Sequence, residues 1–204
     1  AYTFKVLPRN YVFNTNQLLK ILLRYIKVLK RIRYPSSFLM LQEFKEGGGV
    51  GFETLYDIRR PITFFMHKRL HELPPTGGAS TLRESIFLCD IAKISCTLLS
   101  KMHWKGLAMV EYRMTPNGKP YLMEVNGRPW GSMPLAIKCG IDFPYLAYAQ
   151  ALNELPECEG LIHPYPKGYR QAWFEGEILR IIICILENHK LQLSESLPSI
   201  LSND

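Results

Sequence analysis

Residues 109–132 read MVEYRMTPNGKPYLMEVNGRPWGS. Two strand-like runs flank Asn117-Gly118, a dipeptide that accepts the positive φ of a tight hairpin turn. If these two residues are the loop, Pro116 pairs with Lys119, Thr115 with Pro120, Met114 with Tyr121 and Tyr112 with Met123. Glu111 then stands opposite Glu124, and Asn126, two residues on, shares that face. Like charges placed opposite each other destabilise a sheet. A shared proton, an arginine or a divalent cation between them would relieve this. Two carboxylates and a carboxamide form an all-oxygen set suited to Mg²⁺ or Mn²⁺, and Mg²⁺ commonly completes its shell with substrate phosphates. The competing arrangement pairs Glu111 and Glu124 with Arg113 and Arg128 on a solvated face.

Upstream of the hairpin, Phe4 to Leu7 reads as a short strand broken by Pro8. Asn14 or Asn16 caps a helix running to about Arg31. "FLMLQEF" (Phe38 to Phe44) reads as a buried strand. "KEGGGVGFETLYD" reads as a glycine-rich turn entering a second strand, and Pro61 to Leu70 as a third. "ELPPTGGASTLRES" has the punctuation of a loop. Apolar residues Phe87, Ile91, Ile94, Leu98 and Met102 recur every three to four positions, which predicts a helix over Ser85 to His103. After the hairpin, "DFPYLAYAQAL" predicts a short helix capped by Asp142, and "GEILRIIICILENH" another. Strands, a helix, a hairpin and further helices in this order make an α+β chain.

The chain has 204 residues, 47% hydrophobic and 21% charged, as in ordinary globular domains. No apolar run reaches the roughly 18 residues of a transmembrane helix. Ala1 opens inside what reads as a strand, so a preceding segment is expected. Five scattered cysteines without a C-x-x-C pair predict free, mostly buried thiols in a reducing compartment. The net charge is +7. Much of it lies in residues 18–35, where Lys20, Arg24, Lys27, Lys30, Arg31 and Arg33 alternate with apolar residues. That stretch reads as the solvated face of an amphipathic helix, with nucleic-acid or membrane docking as the alternative. His67 and His71 read as site-lining or surface histidines, and Trp104 and Trp130 as core or loop anchors.

The hairpin resembles the metal-binding hairpin of the ATP-grasp superfamily, in the branch of carbamoyl-phosphate-synthase-like carboxylate–amine ligases. That pattern is an acidic residue on one strand and E-x-N-x-R after the turn. "LMLQEFKEGGGVGF" resembles the linker strand against which adenine sits, and "HKRLHELPPTGGASTLRES" the segment that follows. "GYRQAWFEGEI" resembles an Arg–Trp segment after the core. The resemblance implies an α+β, ATP-grasp fold: antiparallel sheets and packed helices in two small lobes around a nucleotide cleft. Residues 1–44 would be a remnant of the first lobe, 45–155 the second lobe with the hairpin, and 156–204 a C-terminal helical extension.

What the resemblance implies for function follows residue by residue. Glu111, Glu124 and Asn126 would hold Mg (or Mn). Lys5, Gln42, Glu43, Phe44 and Arg69 would bind ATP. Arg128 and Arg69 would be catalytic, stabilising charge on the transferred phosphoryl group. The activity would be an ATP- and Mg-dependent C–N ligase joining a small carboxylate to an amine through an acyl-phosphate. A cytoplasmic setting is expected, nucleic acid is not an expected partner, and self-association is open.

Two departures keep other readings in play. Leu7 precedes Pro8 where the family has Lys-Pro, although Lys5 shares the face of Leu7. "RNYVFNTNQ" holds no glycine where the family carries a glycine- and serine-rich loop over the phosphates. A catalytically impaired nucleotide-binding remnant of the same fold is therefore the second reading. A basic docking module built on Lys20 to Arg33 is the third.

Overall fold

The computed structural model describes residues 43–74, 78–155 and 164–186. Expectations that rest on residues 1–42, including Lys5, Gln42 and the basic helix, lie outside the described residues, as does the tail after 186. The chain divides into two compact units, residues 1–45 and 46–204. In the first, Glu43 and Phe44 are exposed and carry no strand, and Lys45 pairs with Glu43 at 2.5 Å.

The described residues of the second unit form six strands: β1 (Gly48–Asp57), β2 (Arg60–Leu73), β3 (Ala79–Ser85), β4 (Lys105–Met114), β5 (Pro120–Asn126) and β6 (Arg170–Ala172). They form one sheet in the order β5-β4-β1-β2-β3-β6, and every pairing is antiparallel. Among the described residues four helices accompany it: α1 (Cys89–Lys101), α2 (Met133–Lys138), α3 (Phe143–Leu152) and α4 (Phe174–Leu186). The α+β expectation holds.

β1 lies between two partners and is buried on both faces, so its alternating residues feed two separate cores. Phe52 and Tyr56 join Met66, Val110 and Tyr112 under α1, which presents Ile91, Ala92 and Leu99 to them. Two hydroxyls fix that helix: Tyr56 donates to or accepts from Ser100 at 2.7 Å, and Tyr112 does so with Ser95 at 2.9 Å. The second core joins Leu55, Phe65 and Met109 to Trp130, Leu135, Ala136, Phe143 and Leu146 from the segment after the hairpin. Each fully buried large apolar side chain here contributes roughly 1.5–3 kcal/mol. α3 begins where Asp142 accepts from the Tyr145 N–H at 3.0 Å, the cap expected from sequence. It ends at Asn153 with φ of 58°.

Several expectations are corrected. Residues 79–85, read as loop, form strand β3. The Pro-Pro and Gly-Gly punctuation precedes that strand in sequence. Its polar residues Thr81, Arg83, Glu84 and Ser85 are nonetheless buried, so no apolar alternation marked it. Ser85 lies in that strand, and α1 starts at Cys89 and ends at Lys101, inside the expected span of Ser85 to His103. α2 and β6 were not foreseen; at six and three residues they are too short to show a period. Cys139 and Cys184 are buried free thiols as expected, but Cys89 is exposed. His67 and His71, allowed as surface residues, are both buried.

The candidate phosphate and metal cleft

The β4–β5 turn is one residue longer than the two-residue loop expected. The Thr115 carbonyl accepts from Gly118 N–H at 2.8 Å and Thr115 N–H donates to Lys119 at 3.0 Å, with Gly118 at φ 78°. This is the three-residue loop in which a glycine takes the left-handed position. Near the turn the register is therefore displaced: Met114 faces Pro120 and Tyr112 faces Leu122. A bulge between Glu111 and Tyr112 then absorbs one residue of β5, and Glu111 still faces Glu124. Met109 faces Asn126.

Asn126 ties the two carboxylates together. Its Nδ2 donates to Glu124 Oε1 at 2.7 Å and approaches Glu111 Oε1 at 3.4 Å. Arg69, from β2, pairs with the other oxygen of Glu111. Burial pushes the Glu111 carboxyl up, Arg69 pulls it down and Glu124 pushes it up again; the net direction is upward. The alternative pairing with Arg113 and Arg128 does not occur among the described residues. Arg113 donates to the Gly47 carbonyl at 2.8 Å and Arg128 to the Pro129 carbonyl at 3.2 Å.

Arg69 reaches Glu111 because the strand between them is bare on this face. A Cβ on Gly49 would stand 2.6 Å from Arg69 Cδ, and one on Gly51 would stand 2.4 Å from His67 Cε1. Glycine in a strand marks such close approach. Gly51 is the register partner of both His67 and Glu111, so Glu124, Glu111, Gly51 and His67 form one row across four strands. The glycine-rich run read as a turn is thus partly a strand across which Arg69 and His67 lie.

That cleft has a volume of about 570 Å³ and is lined by Arg69, Arg83, Glu111, Asn126, Arg128 and Trp130, among others. Glu124 sits beside it, exposed. Ser80 and Trp173 also line it. Beneath, His67 Nδ1 lies 3.0 Å from Glu53 Oε1, and the Ser132 hydroxyl donates to the same oxygen. His67 was read from the sequence as a site-lining or surface histidine, whereas nothing there singles out Glu53, Arg83 and Ser132, which no local spacing links. Arg69 also donates to the Gly78 carbonyl at 3.2 Å, which ties the start of β3 to the cleft wall.

The donor set fits a hard cation. Two carboxylates and a carboxamide converge, and the carboxamide nitrogen already occupies the position of a positive group between them. Which end of Asn126 faces the carboxylates is a matter of a 180° amide flip. Among the described residues no group of three or more His, Cys, Asp or Glu side chains is placed to hold a metal, so a cation here needs Asn126 and outside oxygens as well.

A six-stranded antiparallel sheet carrying this hairpin over a polar cleft defines the class: the chain has the ATP-grasp fold. It belongs to the family described as "ATP-grasp in the biosynthetic pathway with Ter operon", which matches residues 68–176. No curated protein matches the chain. Among solved structures it is similar to the biotin carboxylase domain of a single-chain bacterial carboxylase. The identity is 16% and the TM-score 0.51, over 64% of this chain and 33% of that one. It is also similar to the biotin carboxylase domain of Hydrogenobacter thermophilus 2-oxoglutarate carboxylase, in complex with MgADP, ADP and bicarbonate. There the identity is 14% and the TM-score 0.52, over 71% of this chain and 33% of that one. At such identities the likeness is one of fold. The chain spans about one third of the length of these structures. No helix among the described residues is long and apolar enough to cross a membrane.

Proposed function

We propose that this chain carries the phosphate- and metal-binding part of an ATP- and Mg²⁺-dependent carboxylate–amine ligase acting through an acyl-phosphate. One observation carries the reading: Glu111 and Glu124 oppose each other, bridged by Asn126, beside a cleft that also holds Arg69 and Arg128. The family membership supports the ATP dependence, and a structural relative with bound MgADP shares the fold.

In this reading the substrate carboxylate attacks the γ-phosphorus of ATP, and ADP leaves. The amine then attacks the acyl carbon, sheds a proton, and phosphate leaves. Such transfers need positioning and charge neutralisation more than covalent help. Mg²⁺, when bound, supplies that neutralisation at the phosphates. Glu111, Glu124 and Asn126 offer its oxygen ligands. Arg69 orients Glu111 and keeps further N–H groups for phosphate. Arg128, whose recorded hydrogen bond is to its own neighbour's carbonyl, is the mobile cation for the transferred group. Lys5, Gln42, Glu43 and Phe44 belong to the same proposal as contacts for the rest of ATP. A cytoplasmic setting and a small carboxylate and amine as substrates are part of it too.

Calorimetric titration with ATP, with and without Mg²⁺, tests the site. Binding should require Mg²⁺ and be lost in Glu124→Ala. ATP binding that survives Glu124→Ala unchanged would overturn the assignment. ADP release on adding acids and amines to the wild type then tests the reaction.

A further inference from the structure

Arg83 is a buried charge without a counter-charge in contact. It is 6% exposed, yet among the described residues no carboxylate lies within ion-pair distance of it. Glu53, whose charge does act on it, spends one oxygen on His67 and the Ser132 hydroxyl; its other oxygen has no hydrogen-bond partner, and neither is within ion-pair distance of Arg83. Two of the five guanidinium N–H groups are used on neutral carbonyls: Nη1 donates to Gly131 and Nη2 to Ser80 at 3.0 Å. Nε has no partner. Three donors remain. One residue before Gly131 stands Trp130, 5% exposed, whose Nε1–H also lacks a partner. Both residues line the cleft. A buried cation and a buried N–H donor left unsatisfied are costly unless something completes them.

We propose that Arg83 and Trp130 form a carboxylate subsite at the floor of the cleft, which holds the acid substrate beside the phosphate site. The chemistry favours a carboxylate over a phosphate. The group to be bound is buried, so a single charge in a planar fork matches the guanidinium plane and adds one acceptor for the indole. The multiply charged phosphates are served by the hairpin and the more exposed arginines. That an acid should bind here rests on the ligase reading; that an anion should bind rests on Arg83 and Trp130 alone.

Saturation-transfer NMR on acetate, titrated into the whole chain, tests the subsite. Acetate should saturate in the wild type and in Glu124→Ala. Its affinity should fall by about fivefold or more in Arg83→Gln, the scale of a lost charge-assisted hydrogen bond. Because Arg83 also ties Gly131 to Ser80, a second variant is needed in case Arg83→Gln does not fold. Trp130→Phe keeps the ring and drops the N–H, and should weaken acetate by about threefold. Acetate binding as in the wild type in every variant that folds overturns the proposal, as does inorganic phosphate displacing acetate at lower concentration than acetate itself binds. Acetate binding that depends on Arg83 while Mg·ATP fails to bind the wild type would sink the ligase reading and leave the subsite standing.

Discussion

Arg69 on β2 and Glu111 on β4 pair across the strand that separates them, and they do so over Gly49. Gly51 performs the same service for His67. The two glycines nonetheless predict different outcomes. A Cβ at Gly49 meets the middle of a flexible arginine, which can swing away. Gly49→Ala should therefore cost under about 1 kcal/mol of stability but weaken Mg·ATP binding several-fold, because Glu111 loses its orienting partner. A Cβ at Gly51 meets a buried imidazole with nowhere to go. Gly51→Ala should lower stability by roughly 1–3 kcal/mol. Denaturant melts and calorimetry on the pair check both halves; equal effects on stability would refute the distinction.

Glu177 of α4 predicts an acid transition. It is fully buried, contacts His71 Nδ1 at 2.9 Å and accepts from Arg180 at 3.1 Å. Burial alone would push its carboxyl up, but hydrogen bonds with His71 and Arg180 and the charge of His71 override it and hold it down at about 2. A carboxyl depressed on folding stabilises the protein above its unfolded value of 4.5, and that stability is lost as pH falls towards about 2. The loss is up to about 3 kcal/mol. Glu177→Gln should flatten this part of the pH–stability curve. At neutral pH it should cost on the order of 3 kcal/mol, since it removes a buried carboxylate bonded to both His71 and Arg180.

Asp142 caps α3 through one side-chain hydrogen bond. Asp142→Ala should lower stability by about 1 kcal/mol and Asp142→Asn by much less, with Mg·ATP binding unchanged. Thermal melts of the two variants decide it.

Phe143 follows that cap and meets Trp130 edge-on, with ring centroids 5.4 Å apart. It is 0% exposed. Phe143→Ala should cost about 3–5 kcal/mol. Because Trp130 also lines the cleft, the same variant should weaken acetate binding at the Arg83 subsite, whereas Leu99→Ala, in the core under α1, should not.

The sequence made the Glu111–Glu124 pairing legible by two offsets that cancel. The loop is one residue longer than assumed, and the bulge in β5 takes one residue back. Parity counting sees only the sum of such offsets. Asn126 beside the carboxylates followed from the same count. Arg69 and its route over Gly49 did not, because a glycine in a run of three reads as a turn until the strand on either side is known. β3 was missed for a related reason. Thr81 to Ser85 are all buried and four of these five residues are polar, so hydrophobic alternation cannot announce the strand. The short elements α2 and β6 carry too few residues for any period to show.

The bare stretch of β1 has a last consequence. Where most strands hold their neighbours' side chains apart, this one lets Arg69 and His67 lie close over its backbone. The placement of two cleft-lining side chains, Arg69 and His67, is therefore set by the absence of single methyl groups. Adding even one does not trim the space evenly: at Gly49 it turns a cation away, and at Gly51 it displaces a ring.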